Sequence, residues 1–219
     1  QSEAHLAPRD ALNKLRENLL IRGAKFLTQQ VDPQELGKQH LVIDCRGIKA
    51  KSSTKGLRGV KGEMLILRCP DLNLQRPIRL LHPRIPLYIV PRGNNVYMIG
   101  ATMIESGARK YATARSVMEL LSAAYAVSPS FGEAEILEIG VDSRPAFSDN
   151  LPKVRHQGNV ITANGLYRHG SLLAPTRAKM VTQYLVDELK PECLEPSLSY
   201  YISTYLKQSH RNSEQVKCA

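Results

Sequence analysis

The sequence predicts an α/β (α+β) fold built around a mixed, largely antiparallel sheet, and three observations carry that expectation. Residues 41–45 are a continuous apolar run closed by Arg46-Gly47, the mark of a strand buried on both faces of a parallel sheet. Between residues 63 and 102, proline-punctuated extended pieces flank a Gly93-Asn94-Asn95 turn, the mark of antiparallel pairing. Three stretches repeat apolar residues at helical spacing. The 219 residues suit one large domain or two small ones, and 42% apolar content can fill a core without disulfides.

The first element is a helix. Pro8 suits a first turn, where its missing N–H costs nothing. Leu12, Leu15, Leu19 and Leu20 recur as one buried face, and Gly23 is a natural stop. Residues 25–27 read as a short strand, 41–45 as the buried strand, and 49–59 as a polar loop rich in Ser, Lys and Gly. A strand follows at 63–69. Pro70, Pro77, Pro83, Pro86 and Pro91 then leave extended pieces at 79–82 and 87–90, the second of which forms a hairpin with residues 96–102.

Thr113 caps a second helix, with Val117, Leu120, Leu121 and Ala124 as its apolar stripe and Pro129 at its end. Residues 133–141 and 159–163 read as strands, the latter interrupted by Asn164-Gly165. A long helix covers 171–189, with Leu172, Leu173, Met180, Val181, Tyr184, Leu185 and Leu189 as its apolar set. The tail beyond Pro191 carries Tyr200, Tyr201 and Tyr205; residues 198–207 suit a short amphipathic helix, and the last ten are expected to fray.

Thirty Lys+Arg against twenty Asp+Glu give a net charge of +10, which suits a polyanion or a phosphate-bearing cofactor. The basic residues are scattered, and three Phe with no Trp are a poor supply of stacking surfaces, so no nucleic-acid partner is expected. No apolar run approaches the length of a membrane span, and residues 1–5 lack the regions of a signal peptide. Cys45, Cys69, Cys193 and Cys218 are widely spaced, which indicates neither a zinc site nor a disulfide framework. Four reduced thiols and no anchor give the expectation of a cytoplasmic protein with no metal and no membrane association.

Three segments could carry chemistry. The first is Leu87-Tyr88-Ile89-Val90-Pro91-Arg92 with Ile99-Gly100-Ala101-Thr102-Met103; the second is Asp142-Ser143-Arg144-Pro145-Ala146. The third is Ala163-Asn164-Gly165-Leu166-Tyr167-Arg168-His169-Gly170-Ser171-Leu172-Leu173-Ala174-Pro175. In the third, a strand stops at one glycine, turns through another and enters a helix. Such a turn gathers free backbone N–H groups at the positive end of a helix and suits a ligand oxygen. It is equally compatible with a strand–helix connection that binds nothing.

Arg144, at a strand end before a proline, can fork onto a carboxylate or lie in water. Tyr88 and Met103 suit either core or pocket. His82 and His169 have no Ser or Cys in a nucleophile setting beside them, so a hydrolase is not indicated.

In this order the three segments resemble the C-terminal part of the FAD-dependent amine oxidases of the glycine oxidase and D-amino acid oxidase family, nearest the branch that feeds the thiazole ring in thiamine biosynthesis. The likeness runs from His5-Leu6-Ala7-Pro8-Arg9 to Tyr184-Leu185. Val42-Ile43-Asp44-Cys45-Arg46-Gly47 resembles the strand and turn against the adenosine of FAD, with Arg46 where the family carries a small residue. Gly59-Val60-Lys61-Gly62-Glu63 resembles the crossing from cofactor domain to substrate domain.

The resemblance implies that Arg144 clamps the substrate carboxylate, that Tyr88 helps to position the substrate, and that Met103 and Arg168 lie by the flavin. It implies that Cys45, Gly47, Gly165, Tyr167, Gly170, Ser171, Leu172 and Leu173 contact FAD. The implied reaction is hydride transfer from the Cα of glycine or a small D-amino acid to flavin N5, giving an imine that water hydrolyses while oxygen becomes hydrogen peroxide. The protein then supplies orientation and electrostatics rather than an acid–base pair.

Family members open with a G-x-G-x-x-G turn that holds the FAD pyrophosphate, and that pattern is absent here. The chain is therefore expected to be a truncated form that binds FAD weakly and does not turn over alone. The expected organisation is a mixed, largely antiparallel sheet substrate domain plus an incomplete FAD-binding (Rossmann-like) domain. Residues 1–56 would be the first part of the FAD-binding domain, 57–140 the substrate domain, 141–190 the return to the FAD-binding domain, and 191–219 a tail extension. A homo-oligomer fits the resemblance. A non-catalytic interaction module lacking FAD is the competing reading.

Overall fold

Two β-sheets form, and the computed structural model describes them over residues 5–81, 86–106 and 111–194. His82, Cys218, the tyrosines of the tail and its expected helix lie outside the described residues. In chain order the elements are α1 (Pro8–Ile21), α2 (Pro33–Leu36), β1 (Val42–Asp44), β2 (Arg58–Arg68), β3 (Ile78–Leu80), β4 (Leu87–Pro91), β5 (Val96–Gly100), α3 (Ala114–Val127), β6 (Glu135–Ala146), β7 (Lys153–Gln157), β8 (Val160–Asn164) and α4 (Gly170–Val186). The chain divides into two compact units, one formed by the chain up to Leu27 with Gly59–Arg144, the other by Thr28–Arg58 with the chain from Pro145.

The first unit holds a five-stranded sheet of order β3-β4-β5-β2-β6. The β4–β5 hairpin forms as expected, in the register Tyr88↔Gly100 to Pro91↔Tyr97. Gly93, Asn94 and Asn95 all take positive φ, and Asn95 donates its side-chain amide to the carbonyls of Pro70 and Leu72. These are residue types that enter the left-handed region at least cost. Leu65, Leu67, Leu87, Ile89 and Ile99 turn to one face of the sheet and are covered by Leu120 and Ala124 of α3. The Thr113 hydroxyl accepts from Ser116 N and caps that helix as expected.

α1 departs from expectation. Pro8 opens it, and the N–H groups of Gly23 and Ala24 donate to Leu20 O and Leu19 O in a Schellman closure. Yet none of its residues is buried, and Leu12, Leu15, Leu19 and Leu20 face out. What holds its start to the sheet is polar: Arg9 forks onto the Glu138 carboxylate at 2.9 and 2.7 Å, and Arg92 donates to Leu6 O at 2.6 Å. Through these contacts the chain up to Leu27 groups with the five-stranded sheet. Residues 25–27 are irregular instead of a strand, because no neighbour pairs with them among the described residues.

The second unit holds a three-stranded sheet of order β1-β8-β7. β1 pairs with β8 in parallel, as the apolar run implied, but it is an edge strand and leaves Ile43 exposed instead of buried on both faces. β7 was not expected: Lys153-Val154-Arg155-His156-Gln157 has one aliphatic residue, and its alternation shows only once Val154 and His156 are seen to share the inner face. Val154 and Ile161 pack against Val181 and Tyr184 of α4. That helix runs Gly170–Val186 rather than 171–189, and Leu172 and Leu189 of its expected apolar set are exposed. β6, likewise, begins two residues later than expected and continues to Ala146.

His156 and Tyr184 are buried in an edge-to-face pair, Nδ1 to hydroxyl 3.1 Å. Burial pushes the imidazole pKa below 6.5, more than the hydrogen bond with the Gly158 backbone raises it. A histidine held neutral by folding stabilises fully above its unfolded pKa, and that contribution is lost as pH falls through the lower folded value. The melting temperature of this unit is expected to fall as pH drops below 6.5, and His156→Gln is expected to flatten the slope in that window; an unchanged slope in the variant counts against the assignment.

Candidate active site

Each unit gathers some of the residues singled out from the sequence. In the second, a cavity of about 380 Å³ lies between the sheet and α4, lined among others by Cys45, Gly47, Gly165 and Arg177. Gly47 and Gly165 take φ of +59° and +84°, values that favour glycine and turn backbone toward the space. Asn164, to which the sequence assigns no role of its own within the third segment, joins the two turns. Its amide donates to Gly47 O at 2.9 Å, and its Oδ1 accepts from Gly165 N at 2.8 Å. Its signal in the sequence was an Asn directly before a Gly at a strand end.

Arg46, the residue that departs from the family pattern, lies away from this cavity. Its guanidinium forks onto Asp44 at 2.9 and 2.8 Å, and Ser53 Oγ accepts from it at 3.3 Å. Burial alone would raise the Asp44 pKa; the hydrogen bonds from Arg46 outweigh it and hold the carboxyl below its ordinary range. Cys45 is exposed, and its thiol pKa is raised by the protein packed around it, with the Asp44 charge adding to the effect.

The third segment folds as a strand, a turn and a helix. After β8, Tyr167 takes a φ of +49° and a short 3-10 turn, Tyr167–His169, leads into α4. The helix start at Gly170, Ser171, Leu172 and Leu173 has no side-chain cap and no acidic residue in its first turn. Its leading N–H groups and the positive dipole end are thus left for another acceptor. Arg168 is exposed, 6.0 Å from the ring centre of the half-buried Tyr167.

In the first unit, Arg144 is half-buried and donates to the Thr102 carbonyl at 3.1 Å. Met103 follows Thr102 and is 45% exposed. Tyr88, on the neighbouring strand opposite Gly100, is 40% exposed with Arg79 5.5 Å from its ring centre. So neither Tyr88 nor Met103 is a core residue.

Beneath Thr102 lies an ion pair that sequence reasoning passed over. Lys61 Nζ donates to Glu63 Oε1 at 2.6 Å, with both side chains almost fully buried. Thr102 Oγ1 donates to Glu63 Oε2 at 2.9 Å, and Thr113 N to Oε1 at 3.3 Å. Burial would raise the Glu63 pKa, but the donors Lys61, Ser116, Thr102 and Thr113 together bring it below the ordinary value.

These features belong to a known class. The model of the DAO family, described as FAD dependent oxidoreductase, matches residues 1–184, and the chain belongs to that family. A protein of Rhizobium etli named as the thiamine biosynthesis oxidoreductase ThiO is 48% identical over 188 residues, 86% of this chain and 57% of the relative. The glycine oxidase of Geobacillus kaustophilus is 32% identical over 56% of this chain and 32% of its own length. The crystal structure of that glycine oxidase superposes with a TM-score of 0.55 at 29% identity, covering 64% of this chain and 38% of the other. The chain therefore spans just over half the length of the first of these relatives and about a third of the second. Among the described residues no helix is long and apolar enough to cross a membrane, and no cluster of potential metal ligands occurs.

The residues of the second unit fit part of an FAD. The turns at Gly47 and Gly165 present backbone to the cavity, and α4 walls it from Ala174 to Thr182; Tyr167 and the uncapped helix start at Gly170, Ser171, Leu172 and Leu173 are not among its lining residues. Arg177 adds a donor: its buried Nε has no hydrogen-bond partner among the described residues. Donors around an apolar-walled space suit a flat ring system with carbonyl oxygens along one edge.

Proposed function

We propose that this chain carries the substrate-carboxylate and flavin-edge portions of an FAD-dependent oxidase that deaminates glycine or small D-amino acids, in the service of thiazole formation for thiamine. The observation that carries the proposal is the convergence of Cys45, Gly47 and Gly165 on one cavity whose helical wall is α4 from Ala174 to Thr182. Support comes also from the family and from the names of the relatives, ThiO and glycine oxidase.

In this reading the first unit is the substrate portion and the second the cofactor portion. Arg144 forks onto the substrate carboxylate, Tyr88 and Met103 line the substrate side, and Arg168 lies near the ring. Gly47 and Cys45 would meet the adenosine portion of the cofactor, and residues 165–173 its ring. The flavin, when bound, supplies the two-electron acceptor. Arg144 would hold a small amino acid by its carboxylate and so fix its orientation, which is the main demand on position.

The test joins the chain in frame to the portion of the Rhizobium etli relative that it does not cover, adds FAD, and measures peroxide released from glycine. Glycine-dependent peroxide is expected, with Arg144→Lys lowering kcat/KM about 100-fold, as a carboxylate held by a fork is displaced by an ångström or so. A completed protein that takes up FAD and yields no peroxide from glycine or D-alanine overturns the proposal. The second reading, a non-catalytic interaction module, draws on the exposed leucine face of α1, and that silent outcome is the one it requires.

A further inference from the structure

We infer that Gly62, Glu63 and Thr102 are positioning residues for Arg144: Gly62 leaves the space in which the guanidinium lies, and Glu63 locks Thr102, whose carbonyl holds it. The inference rests on the reading of Arg144 as the carboxylate clamp and adds the groups that aim it.

Two observations carry it. The first is steric. A Cβ built on Gly62 would fall among the Nη1, Cζ and Nη2 atoms of Arg144, so the guanidinium occupies the volume that any other residue would fill. Gly62 sits inside β2, where glycine weakens a strand, and close approach of another group is the usual reason for one there.

The second is the way Thr102 is held. Arg144 Nη1 donates to Thr102 O at 3.1 Å. Thr102 is in turn tied to Glu63 three times: Glu63 N donates to Thr102 Oγ1 at 2.9 Å, Thr102 N donates to Glu63 O at 3.1 Å, and Thr102 Oγ1 donates to Glu63 Oε2 at 2.9 Å. The Glu63 carboxylate is fixed by the Lys61 ammonium at 2.6 Å. The adjoining backbone is locked as well, with Lys61 and Ile104 exchanging N–H···O bonds of 2.8 and 3.0 Å. Lys61-Gly62-Glu63 thus forms a seat: its middle residue is absent as a side chain, and its outer two fix the acceptor that orients the guanidinium. A guanidinium aimed by a rigid carbonyl can fork onto a carboxylate without first being ordered.

The test has two arms. The first reads position in the chain itself, through the ¹⁵Nε–H resonance of Arg144, assigned by its loss in Arg144→Lys. Gly62→Ala and Thr102→Val are expected to move that resonance, while Thr102→Ser, which keeps the hydroxyl, leaves it in place. An Arg144 resonance unmoved in Gly62→Ala overturns the inference.

The second arm uses the completed, flavin-loaded protein and compares kcat/KM for glycine with that for glycine ethyl ester, which lacks the anionic carboxylate. Gly62→Ala and Thr102→Val should lower the glycine-to-ester ratio about 10-fold or more while Thr102→Ser restores it, because only the carboxylate feels a misaimed clamp. Glycine and ester falling together, as a merely structural lesion would make them, overturns the inference. If Arg144→Lys shifts the ratio and Gly62→Ala does not, the clamp stands and the seat fails. If Arg144→Lys itself leaves the ratio unchanged, it is the clamp that fails, and the resonance of the first arm still decides the seat.

Discussion

Lys61→Met is expected to lower the unfolding free energy of the five-stranded unit by about 3–5 kcal/mol, the usual cost of removing one partner from a buried ion pair. The lysine and Glu63 are each almost wholly withdrawn from water, so the remaining carboxylate would be left charged and short of its strongest donor. Adding Glu63→Gln removes that charge and keeps one acceptor oxygen, for either the Thr102 hydroxyl or the Thr113 N–H. The double variant is expected to recover about 1–3 kcal/mol, since a neutral group is far less costly to bury than an unpaired ion. Urea titration of the two variants checks this, and a single variant within about 1 kcal/mol of wild type would contradict the pair's role. The pH dependence has a definite sign. Because the Glu63 pKa is lowered by folding from its ordinary 4.5, the pair's contribution is complete above that value and is lost as pH falls through the folded one.

Gly165→Ala is expected to destabilise the second unit by about 2–5 kcal/mol. The left-handed backbone at φ +84° accounts for about 1–2 kcal/mol with any other residue. The rest, about 1–3 kcal/mol, is overpacking, because the new Cβ would lie 2.5 Å from the Phe147 ring. Phe147 has little room to yield: it is buried with Ala50 and Leu57, and Lys153 and Arg155 sit 5.2 and 5.0 Å from its ring centre. Gly158→Ala is the control, with a φ of +58° but no atom within 4 Å of the added Cβ. It should cost only the backbone share. Equal losses in the two variants by thermal or denaturant unfolding would remove the steric argument and leave Gly165 as an ordinary turn glycine.

Much of this molecule can be read without coordinates where the signal is local. The β4–β5 hairpin follows from three residues that accept positive φ, α3 from its Thr113 cap and Leu120–Ala124 stripe, and the parallel pairing of β1 from the apolar residues at 41–43. The candidate site residues Gly47, Gly165 and Arg144 could be proposed from the sequence for the same reason, since each stands in a short contiguous motif. What escaped was set by pairing and by covering surfaces, which the composition of the element itself does not reveal. β7 is polar in composition and is a strand because β8 offers it a ladder. The leucines of α1 have helical spacing, yet spacing states only which residues share a face, not that another surface covers it.

By itself, then, the order of residues determined the hairpin turn, the caps, the helical stripes and the glycine-flanked motifs, because each depends on torsional preference and spacing within a few residues. Only the tertiary structure decided that Asn164 would tie Gly47 to Gly165, that Arg46 would fold back onto Asp44, and that Arg144 would rest over Gly62 against a carbonyl held by Glu63. Those arrangements join positions about 40 to 120 residues apart, or choose one partner among several, and the choice is made by desolvation: a charge or amide removed from water must find its complement within reach.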